Sequence, residues 1–266
     1  MTSGNEAESS EQRAKTECRS TIERVLQTYL LLASSNTPKG VTEIAESIGA
    51  TKASVHRILQ HLVHFELAEH NPANRKYSLG PRAYAIAVDH LTNDSLLEVS
   101  RPYMDYLYEL TGETVTLCKR VGFHNIYLGQ IESAQEIHIS VPLGEEVPLT
   151  LGANGLCQLA FMDEESIKLA LSLPRIAYTD KTVTDKDEII KRLAQIRQDG
   201  YSITSGERVP YCAGASAPIL MGNTHRPIGA IGVAFLDSRF SSIDRDKLTT
   251  VIKQVARLIE RRLNRS

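Results

Sequence analysis

The sequence predicts an α+β protein in two parts: a small N-terminal part of helices closed by a hairpin, and a larger C-terminal part that mixes strands and helices. Three observations carry this. Residues 41–62, VTEIAESIGATKASVHRILQHL, hold two short apolar stripes at helical spacing on either side of a tight turn. Two short extended runs follow in AEHNPANRKYSLG, around a reversal rich in Asn and Pro. From Glu113 onward, β-rich runs give way to helical ones and then return, the order expected of a largely antiparallel sheet with helices packed on it. At 266 residues the chain has room for one domain of about 80 residues and another of about 170.

The first 19 residues are polar and lack an apolar core, so they read as a disordered tail and not as a secretory signal. Ile22, Val25, Leu26, Leu30 and Ala33 then form a helical stripe able to close a three-helix core. In the next two helices Val41, Ile44, Ala45 and Ile48 share one face, and so do Val55, Ile58, Leu59 and Leu62. Thr42 and Thr51 are placed to cap the two starts, and Gly49 can take the left-handed conformation that ends the first. That is a helix-turn-helix, and the hairpin behind it is a wing, which sets a winged helix-turn-helix over residues 20–82. Pro81 suits the first turn of a helix running to about residue 91, a linker over residues 83–94.

The outward face of the second helix decides what this module does. At about 100° per residue, Ala53, Arg57, Gln60 and His64 oppose the apolar stripe, with His56 and His61 flanking them. That face holds no acid. Arg57 has the fork that grips guanine, Gln60 the amide that pairs with adenine, and Ala53 is small enough to meet a thymine methyl. Thr51, Lys52 and Ser54 sit in the first turn, where side chains and helix N–H groups hold phosphate. Arg75 and Lys76 fall at or beside the wing tip, near the sugar-phosphate backbone. Residues 50–82 carry five Lys/Arg and four His against Glu66 and Glu69, while the whole chain has a formal charge of −2. Positive charge gathered on one element is the footprint of a binder of double-stranded DNA.

A second long helix is expected over residues 94–110, burying Leu96, Val99, Tyr103, Leu107 and Leu110, stopping at Gly112 and kinked or divided at Pro102. Strands are expected over 114–119, 125–131, 137–141, 201–205, 215–220 and 228–235, with helices over 153–162, 164–172 and 185–198. The chain closes on an amphipathic helix over 241–263 with Leu248, Val251, Ile252, Val255 and Ile259 inward. No apolar run approaches the ~20 residues that cross a bilayer, so no membrane partner is expected. The four cysteines are scattered without a CxxC pair, which fits free thiols in a reducing cytoplasm. No G-x-S-x-G, P-loop or H-E-x-x-H motif is present, and His61 and His64, at i and i+3, lack a third ligand. The chain therefore reads as a non-enzyme without cofactor or metal.

Five blocks in order carry a resemblance: KASVHRILQHL with RKYSLGPR, then ELTGETVTL, VPLTLGANGLCQLA, RQDGYSITSGE and ASAPI. Together, over residues 20–263, they resemble the IclR-type bacterial transcriptional regulators. The resemblance implies a winged helix-turn-helix, a linker helix and a GAF-like α/β effector-binding domain over residues 95–266. It also implies homodimers or dimers of dimers on palindromic operators, often controlling catabolic operons. Three departures stand out. Ala53 replaces a Ser of the recognition helix, Glu66 replaces the Gly that ends it and strains the turn into the wing, and Gly214 stands where the family has Cys, with Cys212 two residues away.

By the resemblance, an effector pocket lies between Gly152, Ala153, Asn154 and Gly155 and the sheet near Thr204, Cys212, Gly214, Ser216, Gly232 and Ala234, with Ile139 and Val141 as apolar wall. Small residues there let a ligand approach backbone N–H groups, and a helix N-terminus is an anion site, which points to a small organic acid or aromatic carboxylate. Glu207 is expected to pair with Arg208 or another basic neighbour. Two alternatives stay open: a thiol-redox-sensing regulator, and a ligand-binding scaffold whose helix-turn-helix serves protein contacts.

Overall fold

The computed structural model describes residues 20–92, 94–221, 226–239 and 243–264; the expected tail over residues 1–19 lies outside the described residues. The chain forms two compact units, residues 1–93 and 94–266.

In the first unit, helices α1 (Thr21–Ala33), α2 (Val41–Ile48) and α3 (Lys52–His64) precede a hairpin of β1 (Ala68–Asn71) and β2 (Lys76–Leu79), followed by α4 (Pro81–Thr92). The core is the pair of predicted stripes: Ile44, Ala45 and Ile48 of α2 meet Val55, Ile58, Leu59 and Leu62 of α3, closed by Leu32, Ala68 and Tyr77. Each fully buried aliphatic side chain contributes about 1.5–3 kcal/mol, enough to hold a unit this small. Thr51 caps α3 by accepting from the N–H of Ser54 at 3.2 Å, and Gly49 ends α2 at φ 64°.

Two expectations fail here. Thr42 does not cap α2: the cap is Gly40, whose N–H donates to the Glu43 carboxylate at 3.0 Å. Of the expected α1 stripe only Val25 turns inward, while Ile22, Leu26 and Leu30 are exposed at 72%, 55% and 61% and Ala33 lies outside as well. Inside are Thr28 and Leu32, with Val25, Tyr29 and Leu31 packed beside them. The helix is apolar on two sides, so spacing alone could not choose between them. The Thr28 hydroxyl donates to its own helix, to Arg24 O at 2.7 Å, which makes its burial cheap.

The hairpin pairs Ala68 with Leu79 through Asn71 with Lys76, and a bridge between Lys39 and Tyr77 ties it to the segment before α2. Two Asn side chains build the turn: Asn71 Oδ1 accepts from Ala73 N and Asn74 Oδ1 from Lys76 N, both at 3.0 Å. Glu66 stands at φ 60°, the strain its departure from glycine implied.

In the second unit α5 (Ser95–Thr111) leads into a six-stranded antiparallel sheet of order β5-β4-β3-β8-β7-β6. Its strands are β3 (Thr114–Val121), β4 (His124–Ile131), β5 (Glu146–Pro148), β6 (Ser202–Ser205), β7 (Cys212–Met221) and β8 (Arg226–Leu236). Between β5 and β6 run α6 (Gly152–Leu159), α7 (Glu164–Ser172) and α8 (Lys186–Asp199), and the last helix is α9 (Arg245–Leu263). Alternation divides the sheet. Val115, Leu117, Ala215, Ile231, Val233 and Phe235 face the core shared with α5 and α9. The opposite set, Thr116, Gly214, Ser216, Gly232 and Ala234, falls on the face that α6 covers.

Pro102 does not divide α5, which runs unbroken with Pro102 on its exposed side, so the lost hydrogen bond costs little there. Met104 and Ser100 are buried where Leu110 was expected, and Leu110 is 46% exposed. Residues 137–141 form no strand. Side chains meet part of the backbone there, the Thr114 hydroxyl donating to Ile139 O at 2.6 Å and Gln130 Oε1 accepting from Val141 N at 2.9 Å. The edge strand is β5 instead, three residues long and unpredicted. The last helix begins at Arg245, capped by Asp244; part of its expected start, residues 241–242, lies outside the described residues.

Candidate nucleic-acid interface and ligand cavity

On α3 the outward side chains are all accessible. Thr51, Lys52, Ala53, His56, Arg57, Gln60, His61 and His64 are exposed and Ser54 is half-buried, while Val55 and Leu59 on the opposite side are fully buried. The face is held by packing behind it and by a capped start, so its side chains present a fixed register. At the wing, Arg75 is exposed at the end of the turn with φ 56°. Lys76 is the exception: half-buried, its Nζ lies 3.5 Å from Glu43 Oε1 on α2, which draws part of its charge inward. The backbone hydrogen bond from Gly40 and the nearby Lys76 hold the Glu43 carboxyl below its ordinary range.

In the second unit a cavity of roughly 450 Å³ opens between the start of α6 and the sheet. It gathers Ile139, Val141, Gly152, Ala153, Asn154, Thr204, Cys212, Gly214, Ser216 and Ala234. Gly155 and Gly232 do not line it. Gly155 packs α6 on the chain before it, where an added Cβ would lie 2.7 Å from Leu149 O. Gly232 makes room for the Asn154–Ser216 pair, since a Cβ would strike Ser216 Oγ and lie 2.8 Å from Asn154 Oδ1.

Asn154 organises one wall, accepting from the Ser216 hydroxyl at 2.7 Å and donating to Thr116 Oγ1 at 3.2 Å. Gly152, at φ 71°, turns the chain into α6, whose first N–H groups have no side-chain cap. Arg208 is the only lysine or arginine among the described residues that line the cavity. Its guanidinium lies 5.1 Å from the centre of the Tyr127 ring, donates to the Tyr127 hydroxyl at 2.9 Å and pairs with the Glu145 carboxylate. Burial pushes the Tyr127 hydroxyl up to about 12, against the pull of Arg208. Glu207 pairs not with Arg208 but with Arg192, at 2.7 Å.

Sequence reasoning missed Tyr127, Arg208, Glu145, Thr116 and Asn125 in this wall. Asn125 and Tyr127, two apart on β4, could have been found as polar residues at inward positions of a strand. Glu145 could not, because the turn it occupies precedes a strand too short to show alternation.

Cys118 and Cys157 are fully buried, and burial raises both thiols well above the ordinary range. Cys212 is half-buried, and burial raises its thiol too, although Arg208 opposes it. A redox sensor needs an accessible thiolate, so the geometry does not favour the thiol alternative.

The comparisons with known proteins agree with this architecture. Residues 19–72 match the IclR helix-turn-helix domain, and residues 88–261 match the bacterial transcriptional regulator IclR C-terminal domain. The chain is 30% identical over 227 residues to the HTH-type transcriptional regulator BhcR of Paracoccus denitrificans, covering 84% of this chain and 81% of the relative. It is 28% identical to KipR of Bacillus subtilis over 84% and 89% of the two chains. Among solved structures, an IclR regulator from Alicyclobacillus acidocaldarius superposes with a TM-score of 0.75 at 24% identity, over 90% and 97% of the chains. An IclR homolog from Microbacterium hydrocarbonoxydans, complexed with 4-hydroxybenzoate, superposes with a TM-score of 0.77 at 20% identity, over 93% and 100%. Among the described residues no helix is long and apolar enough to cross a membrane. A winged helix-turn-helix with an exposed, acid-free helix face, a cavity on a separate sheet, and family matches to both parts place this chain in the IclR family of bacterial transcriptional regulators, proteins that bind DNA and are not enzymes.

Proposed function

We propose that the chain is a cytoplasmic regulator of a catabolic operon that binds operator DNA through α3 and the wing and responds to a small organic acid or aromatic carboxylate. The acid-free exposed face of α3 carries the DNA half: Arg57 and Gln60 read base edges, His56, His61 and Ala53 line the groove, and Thr51, Lys52, Ser54 and Arg75 hold phosphate. Lys76, already paired with Glu43, adds a weaker backbone contact.

The uncapped start of α6 supports the ligand half, because free N–H groups and the helix dipole favour a carboxylate at Gly152, Ala153 and Asn154. Ile139 and Val141 offer apolar wall, and the 4-hydroxybenzoate complex of the Microbacterium relative is in keeping with that chemistry. Arg208 is committed to Glu145 and Tyr127, which leaves the helix start as the open anion position.

A homodimer, or a dimer of dimers, is the assembly this reading needs, with residues 83–94 as linker. The exposed stripe of Ile22, Leu26 and Leu30 on α1, and Tyr84, Ile86 and Val88 exposed on α4, offer apolar surface for a second copy.

Gel shifts on the DNA upstream of the chain's own gene, with and without a panel of carboxylates, test the proposal. A salt-dependent shift that a carboxylate alters is expected. Absence of any shift at low ionic strength overturns the DNA reading, and a shift altered by a neutral metabolite but by no acid overturns the ligand reading.

A further inference from the structure

The carboxamide of Asn125 lines the cavity and is fully buried, yet neither Nδ2 nor Oδ1 has a hydrogen-bond partner. Other polar residues that line the cavity are engaged: Thr116 Oγ1 accepts from Asn154, Asn154 Oδ1 accepts from Ser216, and the Tyr127 hydroxyl accepts from Arg208. Buried side-chain amides are nearly always paired. One left open in the wall of a binding cavity marks where a ligand supplies the missing partners, and such a site discriminates strongly, because the wrong ligand leaves a buried polar group unmet.

The two open atoms fix the chemistry of that partner. Nδ2 is a donor and Oδ1 an acceptor, side by side in one plane. A carboxylate brings acceptors alone, so it satisfies Nδ2 and sets its second oxygen against Oδ1. A primary carboxamide, a ureido group or a lactam edge brings one acceptor and one donor at matching spacing and pairs with both. Asn125 and Tyr127 are two residues apart on one face of β4, so their side chains are about 7 Å apart. Asn154, at the start of α6, lines the same cavity as both. A benzene ring or a short carbon chain is of the size that a cavity of roughly 450 Å³ takes.

We infer that the ligand carries, besides its carboxylate, an amide-type edge that pairs with both atoms of Asn125, which makes Asn125 a specificity-determining residue; this rests on the carboxylate reading of the cavity. The acid sits at the start of α6 and the amide edge at β4. A simple monoacid then fills the cavity less well than an acid amide of the same length.

The test is calorimetric titration of the full chain with two matched pairs, terephthalate against terephthalamate and succinate against succinamate. Each pair differs only by exchange of a carboxylate for a carboxamide. For the wild-type chain, at least one acid amide is expected to bind about tenfold or more tighter than its diacid. In Asn125→Leu that ratio falls to about one, and Asn125→Asp, which retains the shape but loses the donor, weakens the acid amide by about tenfold. The Leu variant decides the matter, because any preference that comes only from the diacid's second charge survives in it. A wild-type ratio near one, or a ratio unchanged in Asn125→Leu, overturns the inference and leaves the carboxylate reading standing. Silence of all four compounds toward wild-type protein that still shifts operator DNA overturns the inference, while the carboxylate reading is decided by the gel-shift panel. Melting curves confirm that each variant is folded, and Asn125→Asp stands in should Asn125→Leu fail to fold.

Discussion

Glu66 holds a left-handed backbone conformation, φ 60°, at the turn from α3 into the wing. The cost to an L side chain there is about 1–2 kcal/mol, and the exposed carboxylate gains nothing visible in return. Three backbone bonds fix the position, Glu66 N to Val63 O at 3.0 Å, Leu67 N to Leu62 O at 2.9 Å and Arg82 N to Glu66 O at 3.1 Å, and none needs the side chain. Glu66→Gly is therefore expected to raise stability by about 0.5–1 kcal/mol, the relief being partly offset by glycine's larger unfolded-state freedom. Thermal unfolding followed by circular dichroism measures it, and a lowered midpoint would show that the side chain has a partner of its own. The thiols give a second residue-level expectation. Buried Cys118 and Cys157 have raised pKa values, so only Cys212 of these three offers an accessible sulfur. Iodoacetamide at mildly alkaline pH should modify Cys212 long before the other two, read by peptide mass spectrometry; early labelling of Cys157 would reopen the redox reading.

At the scale of elements, the proposed reading gives α3 and the wing different kinds of contact, which should respond differently to the loss of one charge. Arg57→Ala is expected to cost about 1–3 kcal/mol at the specific operator and to relax base preference at one position. Arg75→Asn retains a residue tolerant of φ 56° while removing the charge. It should weaken all sequences alike and reduce the salt slope by about 0.9 for each phosphate that is no longer neutralised. Quantitative gel shifts over a salt series on operator and scrambled duplexes separate the two; unchanged discrimination in Arg57→Ala would move the reading face elsewhere. How far such elements could be read from sequence depended on how one-sided they are. The α3 stripe was legible because its other face is polar but for the small Ala53, from Lys52 to His64. The α1 face was not, because Ile22, Leu26 and Leu30 compete with Val25, Tyr29 and Leu32 and only tertiary packing chooses between them. Residues 137–141 have strand-like composition, yet side chains of β3 and β4, Thr114 and Gln130, take Ile139 O and Val141 N in place of a strand partner. Of the cavity, the glycine-rich start of α6 and the small residues of β7 were legible, whereas Arg208, Tyr127 and Glu145 meet only when distant segments fold together.

For the whole molecule the question is how a ligand in the second unit changes DNA binding by the first. Each unit has its own core, so neither needs the other's contacts to fold its site. Regulation then rests on a coupling free energy, and a ligand shifts operator affinity only by as much as its own affinity differs between the DNA-bound and free protein. A coupling of about 1–3 kcal/mol corresponds to a change of roughly 5- to 150-fold. Linkage makes this reciprocal: whatever factor an effector imposes on operator binding, operator DNA imposes on effector binding. Titrating the most potent carboxylate or acid amide into free protein, and into protein saturated with operator duplex, should give two dissociation constants whose ratio equals the change in operator affinity that the same compound causes. A scrambled duplex, held through phosphate contacts alone, should give a smaller ratio if the coupling acts through the register of α3 on its bases. Equal ligand affinities with and without operator, alongside a clear effect of ligand on the gel shift, would mean that the compound acts on the DNA-binding unit directly and that the cavity is not the regulatory site.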